Sequence, residues 1–153
     1  MHEARLAALG ITLPGPFLPH DPLDAVVTFG GTARTSGQLP RDVAGSVRTG
    51  LLGRDLTPAE GAEIAALCAL NALSVLRAAL GSLDAIERVL TMTAFIACTE
   101  DFVEQPAVAD GASRVLVQVF ENAGRHTRSA IGVAALPRGG AVEIEVTVAV
   151  KEA

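Results

Sequence analysis

Few side chains in this sequence have a claim to chemistry, and the two strongest lie near its C-terminal end. Arg128 stands in the run Thr127-Arg128-Ser129-Ala130, and Glu143 in Val142-Glu143-Ile144-Glu145-Val146. A guanidinium grips a carboxylate through two parallel hydrogen bonds, which an ammonium cannot match. A carboxylate in a cleft takes a proton from water when burial lifts its pKa toward neutrality. A plainer reading is that Arg128 caps a strand end and Glu143 is a solvated carboxylate, and spacing alone leaves both open. Ser36-Gly37 combines a hydroxyl with a residue that permits close backbone approach, but turn chemistry explains such a pair equally well. Cys68 and Cys98 form no CxxC motif, and His2, His20 and His126 are scattered. The expectation is two buried reduced thiols and no metal site.

The elements that must position Arg128 and Glu143 are two strand-like runs, 127–135 and 141–150. Val142, Ile144, Val146, Val148 and Val150 recur at period two, which turns Glu143, Glu145 and Thr147 to the opposite face. The intervening Leu136-Pro137-Arg138-Gly139-Gly140 has the residues of a tight reversal, so the two runs are expected to pair as a hairpin. With Leu136 opposite Ala141, position 134 faces 143 and position 130 faces 147. Arg128, Ala130, Gly132 and Ala134 would then share a small, charged face with Glu143, Glu145 and Thr147. On that register Arg128 and Glu143 are separated by roughly 20 Å along the strand, too far to touch one ligand within one hairpin. They would meet only if a second copy brought its own strand alongside.

Composition narrows the field. At 153 residues the chain is long enough for a good core and is expected to be one domain, 1–153, with an N-terminal helix and arm over 1–24 and a core over 25–150. Half the residues are apolar and mean hydropathy is +0.41, but aromatics are 3%, so the core must be built from Ala, Val, Leu and Ile. Net charge is −5 with no basic cluster, which argues against a nucleic-acid partner. The uncharged run from Ile64 to Leu76 is too short to span a bilayer, and the N-terminal residues lack a signal-peptide core. A cytoplasmic location with no membrane partner is the expectation.

Along the chain, residues 2–10 suggest a short amphipathic helix ended by Gly10. The proline-rich stretch that follows is expected to be an extended arm, with Phe17 plugging a core gap rather than lining a pocket. Residues 25–29 and 32–36 flank Gly30-Gly31 as a first hairpin, and 41–56 is loop-like. Thr57-Pro58-Ala59-Glu60 is a capping box that opens a long apolar helix, Pro58 to Leu80, closed by Gly81 and about 35 Å long. Within it Asn71 is expected to be a satisfied core amide. A strand follows over 88–97. Residues 106–120 fit a strand through Val115, Val117 and Val119, and a helix through Val108, Ala112, Leu116 and Val119.

Taken in order, TSGQLP, the capped helix, RVLTMTAFI with an acidic DF, TRSAIGVAALP and VEIEV resemble the Rid (YjgF-type) family over roughly residues 25–150. The resemblance implies an α+β, chorismate-mutase-like fold: a mixed six-stranded sheet with two main helices packed on one face, 106–120 being largely helical. It also implies a homotrimer with ligand clefts between subunits, no cofactor, and hydrolysis of reactive 2-imino or enamino acids to 2-oxo acids and ammonia. By the same resemblance Arg128 holds the substrate carboxylate, Glu143 activates or positions water, Ser36 and Gly37 form a cleft wall, and Phe17 and Ala130 occupy substrate-binding positions.

Three positions depart from the family's pattern. Gly-Pro-Tyr is replaced by Gly15-Pro16-Phe17, an Asn after the DF motif by Pro106, and a Cys or Thr two residues after the arginine by Ala130. Deamination of small imino acids remains the leading expectation, with a larger or more apolar substrate, or a non-catalytic trimer that binds a small carboxylate, as the alternatives. Ribonuclease activity, an old label of the family, fits poorly with an acidic chain nearly free of aromatic stacking groups.

Overall fold

The computed structural model describes residues 1–152; Ala153, the last residue of the expected domain, lies outside them. The elements follow as α1 (His2–Ala8), β1 (Val26–Phe29), β2 (Thr32–Thr35), α2 (Pro58–Leu80), β3 (Ile86–Ala97), α3 (Gln105–Phe120), β4 (Thr127–Val133) and β5 (Val142–Val150). The sheet has five strands rather than six, in the order β1-β2-β5-β3-β4. There are three helices where two main ones were expected: α2 and α3 pack together on one face of the sheet, and α1 docks at the far end of α3.

Local chemistry explains most of the boundaries. The Thr57 hydroxyl accepts from the Glu60 N–H at 3.2 Å, and the Glu60 carboxylate accepts from the Thr57 N–H at 3.0 Å, so two orphan donors of α2 are satisfied. Gly81 closes the helix at φ 84°, a left-handed position open to glycine without strain. By length and composition α2 could pass for a membrane span, which the short uncharged run had argued against. Its apolar residues are instead spent on the core: Ile64, Cys68, Leu73 and Leu76 are fully buried beneath the sheet and α3. Asn71 is satisfied as expected, its side-chain amide donating to the carbonyls of Leu39, Arg41 and Leu67.

Residues 105–120 are helical, as the family resemblance implied. Gly111, which weakens the local helix signal, is required by packing: a Cβ there would lie 2.5 Å from the Ala62 carbonyl carbon and closer still to its oxygen. The two helices cross backbone to backbone at this point.

The expected hairpin of the last two strands does not form. β4 runs parallel to β3 and β5 runs antiparallel to the other side of β3, so β3 lies between them. The segment from 134 to 141 is an overpass with a 3-10 turn at Pro137–Gly139, not a tight reversal. The physical reason is burial. β5 carries an unbroken row of Val and Ile and takes the central position, whereas β4 offers only Ala130 and Gly132 toward the helices and suits an edge.

That topology also reverses a face assignment. Met92 pairs with both Arg128 and Val146, Ala94 with Ala130 and Ile144, and Ile96 with Gly132 and Val142. Arg128, Ala130 and Gly132 therefore stand on the helix-covered face. The open face instead carries Ile131, Phe95 and Glu143 in one row, with Glu145 and Thr147 beside them.

Candidate functional site

Glu143 is presented by β5 at the point where the loop after β2 is stitched to it. The Gln38 N–H donates to the Ile144 carbonyl at 2.7 Å, and the Ile144 N–H returns a bond to the Gln38 carbonyl at 3.1 Å. This clasp lays Gly37 directly over the Glu143 side chain. A Cβ on residue 37 would lie 2.8 Å from the Glu143 carboxyl carbon, so the absence of a side chain is what lets the carboxylate sit there. Ser36 is beside it, but its hydroxyl donates to the Asp24 carbonyl at 2.6 Å and is occupied in holding the arm.

These residues line a cleft of about 390 Å³ on the open sheet face, with Phe17, Ser36, Gly37, Arg41, Phe95 and Glu143 around it. Phe17 is not in the core: it is 48% exposed, and its ring lies under the Arg41 guanidinium, 3.7 Å from the centroid. The proline-rich arm carries it across the surface to the cleft rim instead of into the interior. Burial, reinforced by neighbouring Glu145, pushes the Glu143 carboxyl above the usual carboxylate range. Glu145 is held by Arg34 at 3.1 Å on the same face. A larger groove of about 570 Å³ lies between α2 and α3, but none of the sequence-derived candidates reaches it.

Arg128 is elsewhere. Its guanidinium reaches onto α3, donating to Asp110 at 2.7 Å and to the Ser113 hydroxyl at 3.2 Å. The Ser113 hydroxyl also lies 2.9 Å from His126 Nε2. Ala130 is half-buried on the same helix-facing side. Within one chain, then, Phe17, Ser36, Gly37 and Glu143 converge, while Arg128 and Ala130 do not join them. Because β4 is a free edge of the sheet, Arg128 stands at the rim, where another copy could approach.

Arg41 and Phe95 escaped the sequence reading. Phe95 could have been found, since it alternates with Ile96 in a strand whose one face is covered. Arg41 lies in a stretch with no periodicity, and its backbone is fixed by the Asn71 bonds to the Leu39 and Arg41 carbonyls and by its bridge to Val47. The two cysteines are free; Cys68 is buried as expected, but Cys98 is only half-buried, with the Gln105 amide 3.8 Å from its sulfur. Among the described residues no group of three His, Cys, Asp or Glu side chains is placed to hold a metal ion.

Comparison with known proteins gives a consistent result. A family model described as YjgF/chorismate mutase-like, putative endoribonuclease matches residues 3–143. Protein TCP17 of Trypanosoma cruzi is 44% identical over 146 residues, covering 95% of this chain and 91% of that protein. Among solved structures, Atu1372 of Agrobacterium tumefaciens, described as of unknown function, is 39% identical with a TM-score of 0.89, covering 99% of this chain and 94% of its own. An endoribonuclease-like protein of Shewanella oneidensis superimposes with a TM-score of 0.92 at 29% identity, covering 98% and 99%.

Proposed function

The chain belongs to the YjgF/chorismate-mutase-like family, and on that footing we propose that it hydrolyses small 2-imino or enamino acids to 2-oxo acids and ammonia. The observation that carries the proposal is Glu143: a half-buried carboxylate, raised in pKa, held against a glycine backbone at the wall of a cleft large enough for a small acid. An imine carbon is already electrophilic, so positioning a water beside it supplies much of the rate. Glu143 takes a proton from that water as its oxygen bonds to the imine carbon. That proton passes to the imine nitrogen, giving a neutral carbinolamine. Glu143 then takes the remaining hydroxyl proton as the C=O bond forms and delivers it to nitrogen, the C–N bond breaks, and ammonia leaves.

The substrate carboxylate is assigned to Arg128 of a neighbouring copy in a homotrimer. Support comes from the free edge of β4 and from the open sheet face, where Ile131 is 44% exposed beside Phe95. An apolar row on an uncovered sheet suits a second subunit. Asp110, Ser113 and the Pro106 carbonyl take three of the five guanidinium N–H groups, so two remain for a ligand.

The test generates 2-iminopropanoate with an amino-acid oxidase and traps it with semicarbazide. The protein is expected to suppress trapping, and Glu143→Gln and Arg128→Ala to lose that suppression. If no imino acid in a series is protected while 2-oxo acids still raise the melting temperature, the chain is a carboxylate-binding protein without turnover.

A further inference from the structure

Among the described residues the Arg41 guanidinium is the one half-buried cation without a polar partner. Four arginines are half-buried. Arg5 donates to the Gln118 carbonyl at 2.9 Å, Arg77 pairs with Glu3 at 2.9 Å, and Arg128 with Asp110 at 2.7 Å. Arg41 has no carboxylate or carbonyl on its guanidinium among the described residues, only the Phe17 ring beneath it. Burial, and after it the neighbouring cation Arg138, disfavour its charged form. A partly desolvated, unpaired cation is costly unless something anionic completes it.

Its position is also fixed. The Arg41 carbonyl accepts from Asn71 at 2.9 Å and its N–H donates to the Leu39 carbonyl at 2.9 Å. Stacking on Phe17 removes further freedom from the side chain and leaves the N–H edge of the guanidinium available. Arg41 lines the same 390 Å³ cleft as Glu143. Glu145, the other carboxylate of the cleft, is already satisfied by Arg34.

We propose that Arg41 binds a second acidic group on the ligand, so that the cleft selects 2-imino and 2-oxo acids with a carboxylate at both ends. This deepens the functional reading above and rests on it for the first carboxylate, which Arg128 of a neighbouring copy takes. The distal carboxylate docks on the guanidinium edge of Arg41, and the reacting carbon lies between the two cations, beside Glu143. The chain's overall negative charge does not oppose this, because recognition is set by the local pair of arginines and not by the net field.

Isothermal titration of the full chain with 2-oxoglutarate and with 2-oxobutanoate tests it, since product analogues bind whether or not turnover occurs. The diacid is expected to bind about tenfold or more tightly than the monoacid, as one charge-assisted, two-pronged contact would give. Arg41→Gln should erase that advantage while leaving monoacid affinity within a factor of about three, and Arg41→Lys should keep part of it. Raising salt should shrink the difference. Equal affinity of the wild-type chain for both acids overturns the proposal without help from any variant. So does Arg41→Gln that retains the preference, or that weakens both acids alike, since Arg41 would then hold the first carboxylate. If the diacid preference is found but no imino acid is turned over, the deaminase reading fails and the role of Arg41 stands. If neither acid binds at all, both fall.

Discussion

Gly111→Ala sets two opposing effects against each other at the crossing of α2 and α3. In an isolated helix the change would help, because alanine is better than glycine in a helix interior by about 1 kcal/mol. Here the added methyl meets the α2 backbone, 2.5 Å from the Ala62 carbonyl carbon and 2.8 Å from its Cα, where ordinary contact begins near 3.4 Å. Backbone atoms have no alternative rotamer, so the helices must part by roughly 1 Å, and overpacking of this kind costs about 1–3 kcal/mol. Taking the upper end because backbone meets backbone, the net loss is about 2 kcal/mol once the helix gain is subtracted. For a chain of this size that corresponds to a melting temperature lower by about 4–8 °C. Thermal denaturation followed by circular dichroism, at one fixed protein concentration, measures it. A variant that melts at or above the wild type would show that the helices do not touch there, and the account of Gly111 would be wrong.

Other outcomes follow from the cleft. Glu143→Gln should stabilise the fold at neutral pH, because burial makes the charged carboxylate the unfavourable form in the folded chain. With a folded pKa above the ordinary 4.5, its contribution is fully present below 4.5 and is lost as pH rises through the folded value, so the gain over wild type should fade by about pH 4. A gain that persists unchanged at pH 4 would contradict this. The same raised pKa should move the acid limb of the turnover profile above the range of an ordinary glutamate. Gly37→Ala should displace the Glu143 carboxylate, which is the far end of a flexible side chain, and so lower turnover by tenfold or more while shifting the melting temperature little. Equal losses of both would mean that residue 37 serves the fold instead.

Which parts of this molecule could be read in advance depended on whether the signal was local. The capping box at Thr57 and the glycine after Leu80 are complete within their own neighbourhoods, and α2 begins and ends where they place it. Strict alternation in Val142–Val150 likewise identifies β5 and the face on which Glu143 stands. The partner of a strand is not local. Leu136 to Gly140 has hairpin chemistry, yet β3 outcompetes β4 for β5 because a central position buries its Val/Ile row on the helix side. That single error moved Arg128, Ala130 and Gly132 to the wrong face. The helix at Gln105–Phe120 was masked for a related reason: Gly111 weakens the local pattern to satisfy a contact with a helix some fifty positions earlier. Phe17 and Arg41 were illegible individually, since each has its place only through the other.

The placement of Arg128 and Glu143 on opposite faces, with β3 interposed, makes their energetic independence a reporter of assembly. Two strand spacings and a three-residue offset separate their backbones by roughly 14 Å in one chain, beyond the range at which substitutions usually interact. A double-mutant cycle on ligand affinity should therefore be additive for a protomer acting alone. A departure from additivity would support the proposed trimer, in which the two side chains meet across a subunit boundary, and dilution that separates the copies should then abolish it.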